Sequence, residues 1–131
     1  MQATETSFDT TRHHIHLEVT VVKNDTEYSV DAILDTGAPI TEFSDQFLVF
    51  TGFMDLPEND IKIRQGLQSQ KYNRLLLPET KICGHTLKNF NICVSRFEDT
   101  WGIDALIGLD LFRLFKVEID YSSGKIITSQ L

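Results

Sequence analysis

Cysteine is scarce in this chain. There are two, Cys83 and Cys93, too few for a disulfide framework, and their spacing rules out a CxxC redox pair. Both read as small buried side chains of a protein in a reducing compartment. Long apolar runs are missing too. Leu75-Leu76-Leu77 and Ala105-Leu106-Ile107 are far shorter than a bilayer requires, so no membrane partner is expected. Positive charge is in deficit, with 12 Lys and Arg against 19 Asp and Glu and a formal charge of −7. Nucleic-acid binding wants a basic surface that displaces counterions from phosphates, so this balance argues against a nucleic-acid partner. A Gly-rich phosphate loop and the strand–helix–strand period of an α/β fold are absent as well. The polar N-terminus, MQATETSFDTTRHH, carries no apolar h-region of a signal peptide, and a cytoplasmic location is the corresponding expectation.

What is present is strand patterning. The 131 residues, 41% of them apolar, suggest one domain with a core large enough to need no staples. Residues 1 to 12 are Thr-, Ser- and Asp-rich without a period and read as a flexible arm. Residues 13 to 131 then form the single domain. Ile15, Leu17, Val19 and Val21 alternate with His14, His16, Glu18 and Thr20, the mark of a half-buried strand. Lys23-Asn24-Asp25-Thr26 is turn chemistry, and Tyr28 to Leu34 returns as a second strand. Ser44 is a candidate N-cap for a short helix that ends before Gly52. Residues 61 to 77 show strand patterning around a polar middle and read as a long exposed hairpin. Lys81 to Leu87 predicts another hairpin, with Gly84-His85 at its turn. Leu109 to Phe115 has room for one or two helical turns. Lys116–Tyr121 and Lys125–Thr128 are strands joined by Ser122-Ser123-Gly124. The sum is a mainly β domain built as a closed or barrel-like sheet, with one or two short helices.

One stretch asks for chemistry. The apolar strand Ala32-Ile33-Leu34 runs straight into Asp35-Thr36-Gly37-Ala38. A bare Asp-Thr-Gly is a weak signal, because Asp and Gly are ordinary turn residues. Its setting strengthens it. A rigid strand delivers the carboxylate, and Gly37 permits close backbone approach. Far downstream, Leu106-Ile107-Gly108 repeats the pattern of an apolar strand ending in a glycine, followed by a helical stretch.

With these motifs in this order, the chain resembles the retropepsin-like aspartic peptidases, single-lobe relatives of pepsin. The resemblance runs from about Ile15 to Ile127 and includes the closing segment KVEIDYSSGKI. It implies a retropepsin-like closed β-barrel with a flap hairpin, acting as a homodimer. Asp35 would be the catalytic residue. Thr36, Gly37 and Ala38 would shape the catalytic loop, and Leu106, Ile107 and Gly108 would pack beneath it. The best candidate for the flap tip is Gln65-Gly66, with Tyr72 nearby. Pro39 departs from the family pattern, where a small polar or acidic residue is common. The implied activity is aspartic endopeptidase action on a protein or peptide substrate, with no cofactor. A catalytically inactive dimer that serves as a peptide-binding or scaffold module is the alternative. His14 and His16 have no third ligand at matching spacing, so no metal site is expected. Asp104, Asp110 and Asp120 read as structural, Asp110 as an anchor for the following helix.

Overall fold

Alternation decides the first two barrel strands of the computed structural model, which describes residues 3–56 and 74–131. In β2 (His16–Lys23) the side chains of Leu17, Val19 and Val21 are buried while Glu18 is exposed. β3 (Thr26–Leu34) pairs with it antiparallel, Leu17 opposite Ala32 and Val21 opposite Tyr28. The turn between them places both Asn24 and Asp25 at positive φ, 52° and 65°. Those signs are what a right-twisted two-residue hairpin demands, and Asn and Asp tolerate them better than most side chains.

Four more strands complete the barrel: β4 (Glu42–Ser44), β5 (Arg74–Ile82), β6 (His85–Ser95) and β7 (Ala105–Ile107). Their order is β2-β3-β7-β4-β6-β5, closed by the antiparallel pairing of β2 with β5 from Val19–Ile82 to Val22–Glu79. Closure leaves the barrel without a free edge. Phe43, Leu48, Phe53, Leu75, Leu77, Ile92 and Ile107 fill its interior, each worth roughly 1.5–3 kcal/mol by removal from water. Helix α1 (Asp45–Thr51) starts where the Ser44 side chain accepts from the Phe47 N–H at 3.4 Å, and stops at Gly52 with φ 82°. The expected cap and stop residues both hold their places. Helix α2 (Leu109–Phe112) is a single turn after Gly108.

The expected turn at Gly84-His85 is displaced by one residue. Cys83 and Gly84 form it, at φ 51° and 79°, and His85 opens β6. The reason lies in what His85 touches. Its ring stacks on Phe115 at 4.4 Å between centroids, and its Nε2 sits 2.8 Å from the Thr128 hydroxyl. That anchorage pulls His85 inward and leaves Cys83 to take the left-handed conformation. Both cysteines are free and buried, and burial pushes each thiol up from its ordinary value. The hairpin expected over residues 61 to 77, with Gln65, Gly66 and Tyr72, lies outside the described residues except for Arg74–Leu77, which begin β5.

A second sheet packs beside the barrel in the order β1-β9-β8, formed by β1 (Ala3–Ser7), β8 (Phe115–Asp120) and β9 (Lys125–Gln130). Part of the expected N-terminal arm thus takes regular structure. Ala3 to Ser7 pair with Ser129 to Lys125. The Thr4 hydroxyl donates to the Cys83 carbonyl at 2.6 Å and lies 2.8 Å from Thr128 Oγ1. β9 is the central strand of this sheet, so it has no free edge of its own. Ile126 on it is fully buried. Removing residues 125 to 131 is therefore expected to unfold the chain. Loss of the cooperative melting transition in circular dichroism checks this, and a truncated chain that melts as the intact one does would contradict it.

Candidate active site

β7 is inserted between β3 and β4, the two strands that the segment 35–41 connects. It runs parallel to β3, Leu34 opposite Ile107, and antiparallel to β4, Phe43 opposite Ala105. The connecting segment must then arch over the end of β7. Asp35 stands at the start of that arch and Gly108 beneath it. The two motifs found far apart in the sequence meet here.

Three bonds fix Asp35. Its N–H donates to the Ile107 carbonyl at 2.9 Å, its carbonyl accepts from the Ala38 N–H at 3.1 Å, and its Oδ1 accepts from the Gly37 N–H at 3.0 Å. Asp35 is half-buried, so solvent still reaches it. A Cβ on Gly37 would stand 3.3 Å from Asp35 Oδ1, close enough that the carboxyl would have to shift by a few tenths of an ångström. Thr36 is exposed, and its hydroxyl makes no hydrogen bond among the described residues. Ala38 accepts from the Leu109 N–H at 2.8 Å and Pro39 from the Asp110 N–H at 3.2 Å. Gly108 is buried, and a Cβ on it would meet Ala38 O at 2.6 Å and Ile40 C at 2.9 Å. Leu106 is half-buried and Ile107 buried. All seven of these sequence-predicted residues are thus gathered at one place; Gln65 and Gly66 lie outside the described residues.

The sequence reading missed Thr41 and, though it took Asp104 and Asp110 as structural, did not find their partners. Thr41, completely buried, accepts from the Gly108 N–H at 3.0 Å and donates to Asp110 Oδ1 at 2.7 Å. Asp110 thus reaches back toward the loop instead of serving its own helix. Asp104 forms a second tie: its Oδ2 accepts from the Asp31 N–H at 3.0 Å, its own N–H donates to Asp31 O at 2.7 Å, and its carbonyl accepts from the Ser44 N–H at 2.8 Å. A polar residue six positions after Asp35 and an Asp two after Gly108 were the available signals. Asp120 has a different duty. It accepts from the Ser122 hydroxyl and the Ser122 and Ser123 N–H groups in the β8–β9 turn, and these bonds, the Ser122 hydroxyl first, hold its carboxyl below the ordinary value.

Other polar groups lie elsewhere. His16 Nδ1 pairs with Asp31 Oδ1 at 3.2 Å on the outer face of the β2–β3 ladder. Among the described residues, no three His, Cys, Asp or Glu side chains converge to hold a metal ion. A concavity of about 200 Å³ lies between Ser44, Phe47, Phe97 and Gly102, and Asp35 is not in its lining. No helix among the described residues is long and apolar enough to cross a membrane.

The closed barrel is retropepsin-like in fold. The chain is similar to a retropepsin-like aspartic protease from Rickettsia conorii, with a TM-score of 0.64 and 22% identity over 97% of this chain and 91% of the other. It is also similar to the retroviral protease-like domain of Ddi1 from Leishmania major, with a TM-score of 0.57 and 22% identity over 83% of this chain and 84% of that one. No protein-family model and no curated protein matches.

Proposed function

We propose that the chain is an aspartic endopeptidase whose catalytic residue is Asp35, working as a homodimer. Residues 13 to 131, with β1 completing the second sheet, would be one peptidase domain, in a cytoplasmic setting that two free buried thiols favour. The observation that carries the reading is Asp35 itself. It is a half-buried residue whose backbone is tied to Ile107 and Ala38 and whose carboxylate accepts from the Gly37 N–H, at the loop where this fold brings two distant motifs together.

One carboxyl is half of the chemistry. Hydrolysis needs a base toward water and an acid toward the carbonyl oxygen, and the chain has a single Asp-Thr-Gly. A second copy related by a two-fold axis supplies the other Asp35. Two carboxyls brought within hydrogen-bond reach of each other share one proton, since both ionised would repel; the aspartic-protease dyad is a standard illustration of this effect. The ionised member takes a proton from water as its oxygen attacks the peptide carbonyl carbon. The protonated member gives its proton to the carbonyl oxygen. As the tetrahedral intermediate collapses, the carboxyl that took the water proton passes it to the leaving nitrogen, the C–N bond breaks, and the other carboxylate takes back a hydroxyl proton as the product C=O forms. The Thr36 hydroxyl, which is exposed, would bond backbone of the second copy. Gly37 and Ala38 keep the floor narrow for an extended peptide.

Activity should then be bell-shaped in pH, highest at about pH 4 to 6, because the singly protonated pair is the working form. A mimic with a hydroxyl in place of the scissile carbonyl should bind best in the same window. Cleavage assays and titrations with the hydroxyl mimic and its plain amide analogue check this. Equal, pH-independent binding of both, with no cleavage at any pH, would favour the peptide-binding module. Sedimentation equilibrium tests the dimer separately, and an active monomer at every concentration would overturn it.

A further inference from the structure

The arch that carries Asp35 is bolted from below by a buried polar junction. Thr41 is fully buried, six residues beyond Asp35. A hydroxyl has one proton, and here its destination is fixed by elimination. The Gly108 N–H can only donate, so it gives its proton to Thr41 Oγ1, at 3.0 Å. The Thr41 hydroxyl must then donate to Asp110 Oδ1, at 2.7 Å. The same Oδ1 accepts from the Thr41 N–H at 3.0 Å, and the Thr41 carbonyl accepts from the Cys93 N–H at 2.9 Å. The junction thus joins the far end of the arch to the residue that follows β7. Ile107, one residue before Gly108, accepts the Asp35 N–H, and Leu109, one residue after it, donates to Ala38 O.

We propose that Thr41 and Asp110 are positioning residues that set the orientation of the Asp35 carboxyl by locking Gly108 against the arch. The role in catalysis rests on the peptidase reading; the placement of Asp35 does not. The lock uses Asp110 as an acceptor through Oδ1, so an amide in its place keeps both bonds. It uses Thr41 for its hydroxyl, so Ser keeps the lock. Val, of the same shape, leaves the Gly108 N–H buried without its acceptor.

The test compares Thr41→Val with Thr41→Ser and Asp110→Asn by amide hydrogen exchange and steady-state kinetics. Thr41→Val should speed exchange at the Asp35, Gly37 and Ala38 amides by about tenfold or more, with Val19 and Val21 on β2 unchanged. It should lower kcat by about 10²-fold with little change in KM, the signature of a misplaced reacting group. Thr41→Ser and Asp110→Asn should restore both readouts. Should Thr41→Val not fold, Asp110→Ala, which removes both bonds by which Asp110 holds Thr41 in place, must give a local rise in exchange at the same amides. Exchange that rises evenly across the barrel, or not at all, would overturn the proposal. The exchange result stands whether or not the native chain cleaves peptides, so failure of the lock and failure of the peptidase reading are distinguishable.

Discussion

Asp35→Asn is expected to abolish peptide cleavage while leaving the fold intact. Asn has nearly the shape of Asp, and its side-chain oxygen still accepts from the Gly37 N–H, the bond that now ties the carboxyl to the arch. The backbone bonds to Ile107 and Ala38 are untouched. Asn cannot take a proton from water, so the loss should be at least about 10³-fold in kcat/KM, the upper part of the range for general acid–base groups. The melting temperature should hold steady or rise slightly, because in the proposed dimer the change removes a like-charge contact. Cleavage of a sensitive peptide and thermal melting, measured on the same sample, check the two halves. Unchanged cleavage would remove Asp35 from the chemistry, and unfolding would make it a structural residue.

Gly108→Val is expected to have the opposite profile, a loss of stability that brings activity down with it. The obstacle to a side chain at Gly108 is backbone. A Cβ would stand 2.6 Å from Ala38 O, 2.9 Å from Ile40 C and 3.0 Å from Ile40 O. None of these can swing aside as a side chain would, because Ala38 O already accepts from Leu109 and Asp35 O from Ala38. The arch would have to lift off β7, breaking the Thr41–Gly108 bond as it went. Overpacking of this kind costs on the order of 3 kcal/mol, which corresponds to a fall of roughly 10 °C in melting temperature for a domain of this size. Denaturant or thermal unfolding measures it. A Val variant with native stability would mean that the arch is far looser than its hydrogen bonds imply.

These two positions show what the sequence made legible. An apolar strand ending in Asp-Thr-Gly and a second ending in Gly are local patterns, and the resemblance to the retropepsin-like peptidases, with the motifs in the same order, was what paired them. The β2–β3 hairpin was equally plain, since alternation and an Asn-Asp turn agree. So was α1, bounded by Ser44 and Gly52. The junction below the arch was not legible. Thr41 looks like any β-branched residue near a strand, and its partner Gly108 is 67 residues away. β7 is three residues long, too short to show a period, so its parallel insertion could not be read from pattern. The place of β9 between β1 and β8 was hidden for a related reason: alternation says which face is buried and nothing about which edge is paired. The Cys83-Gly84 turn was obscured because hairpin preferences speak for Gly and Asn, whereas contacts of His85 with Thr128 and Phe115 set its position.

The pairing of β1 with β9 also sets a waiting time during synthesis. β1 leaves the ribosome more than a hundred residues before the strand it pairs with. At about 5–20 residues per second, it stays without that neighbour for roughly ten seconds. An apolar strand left with open edges for so long would invite pairing with other nascent chains. The sequence of β1, ATETS, has little to offer such a partner. Its polarity, which made it look like an unstructured arm, is suited to a strand that must stay soluble until its place in the sheet exists.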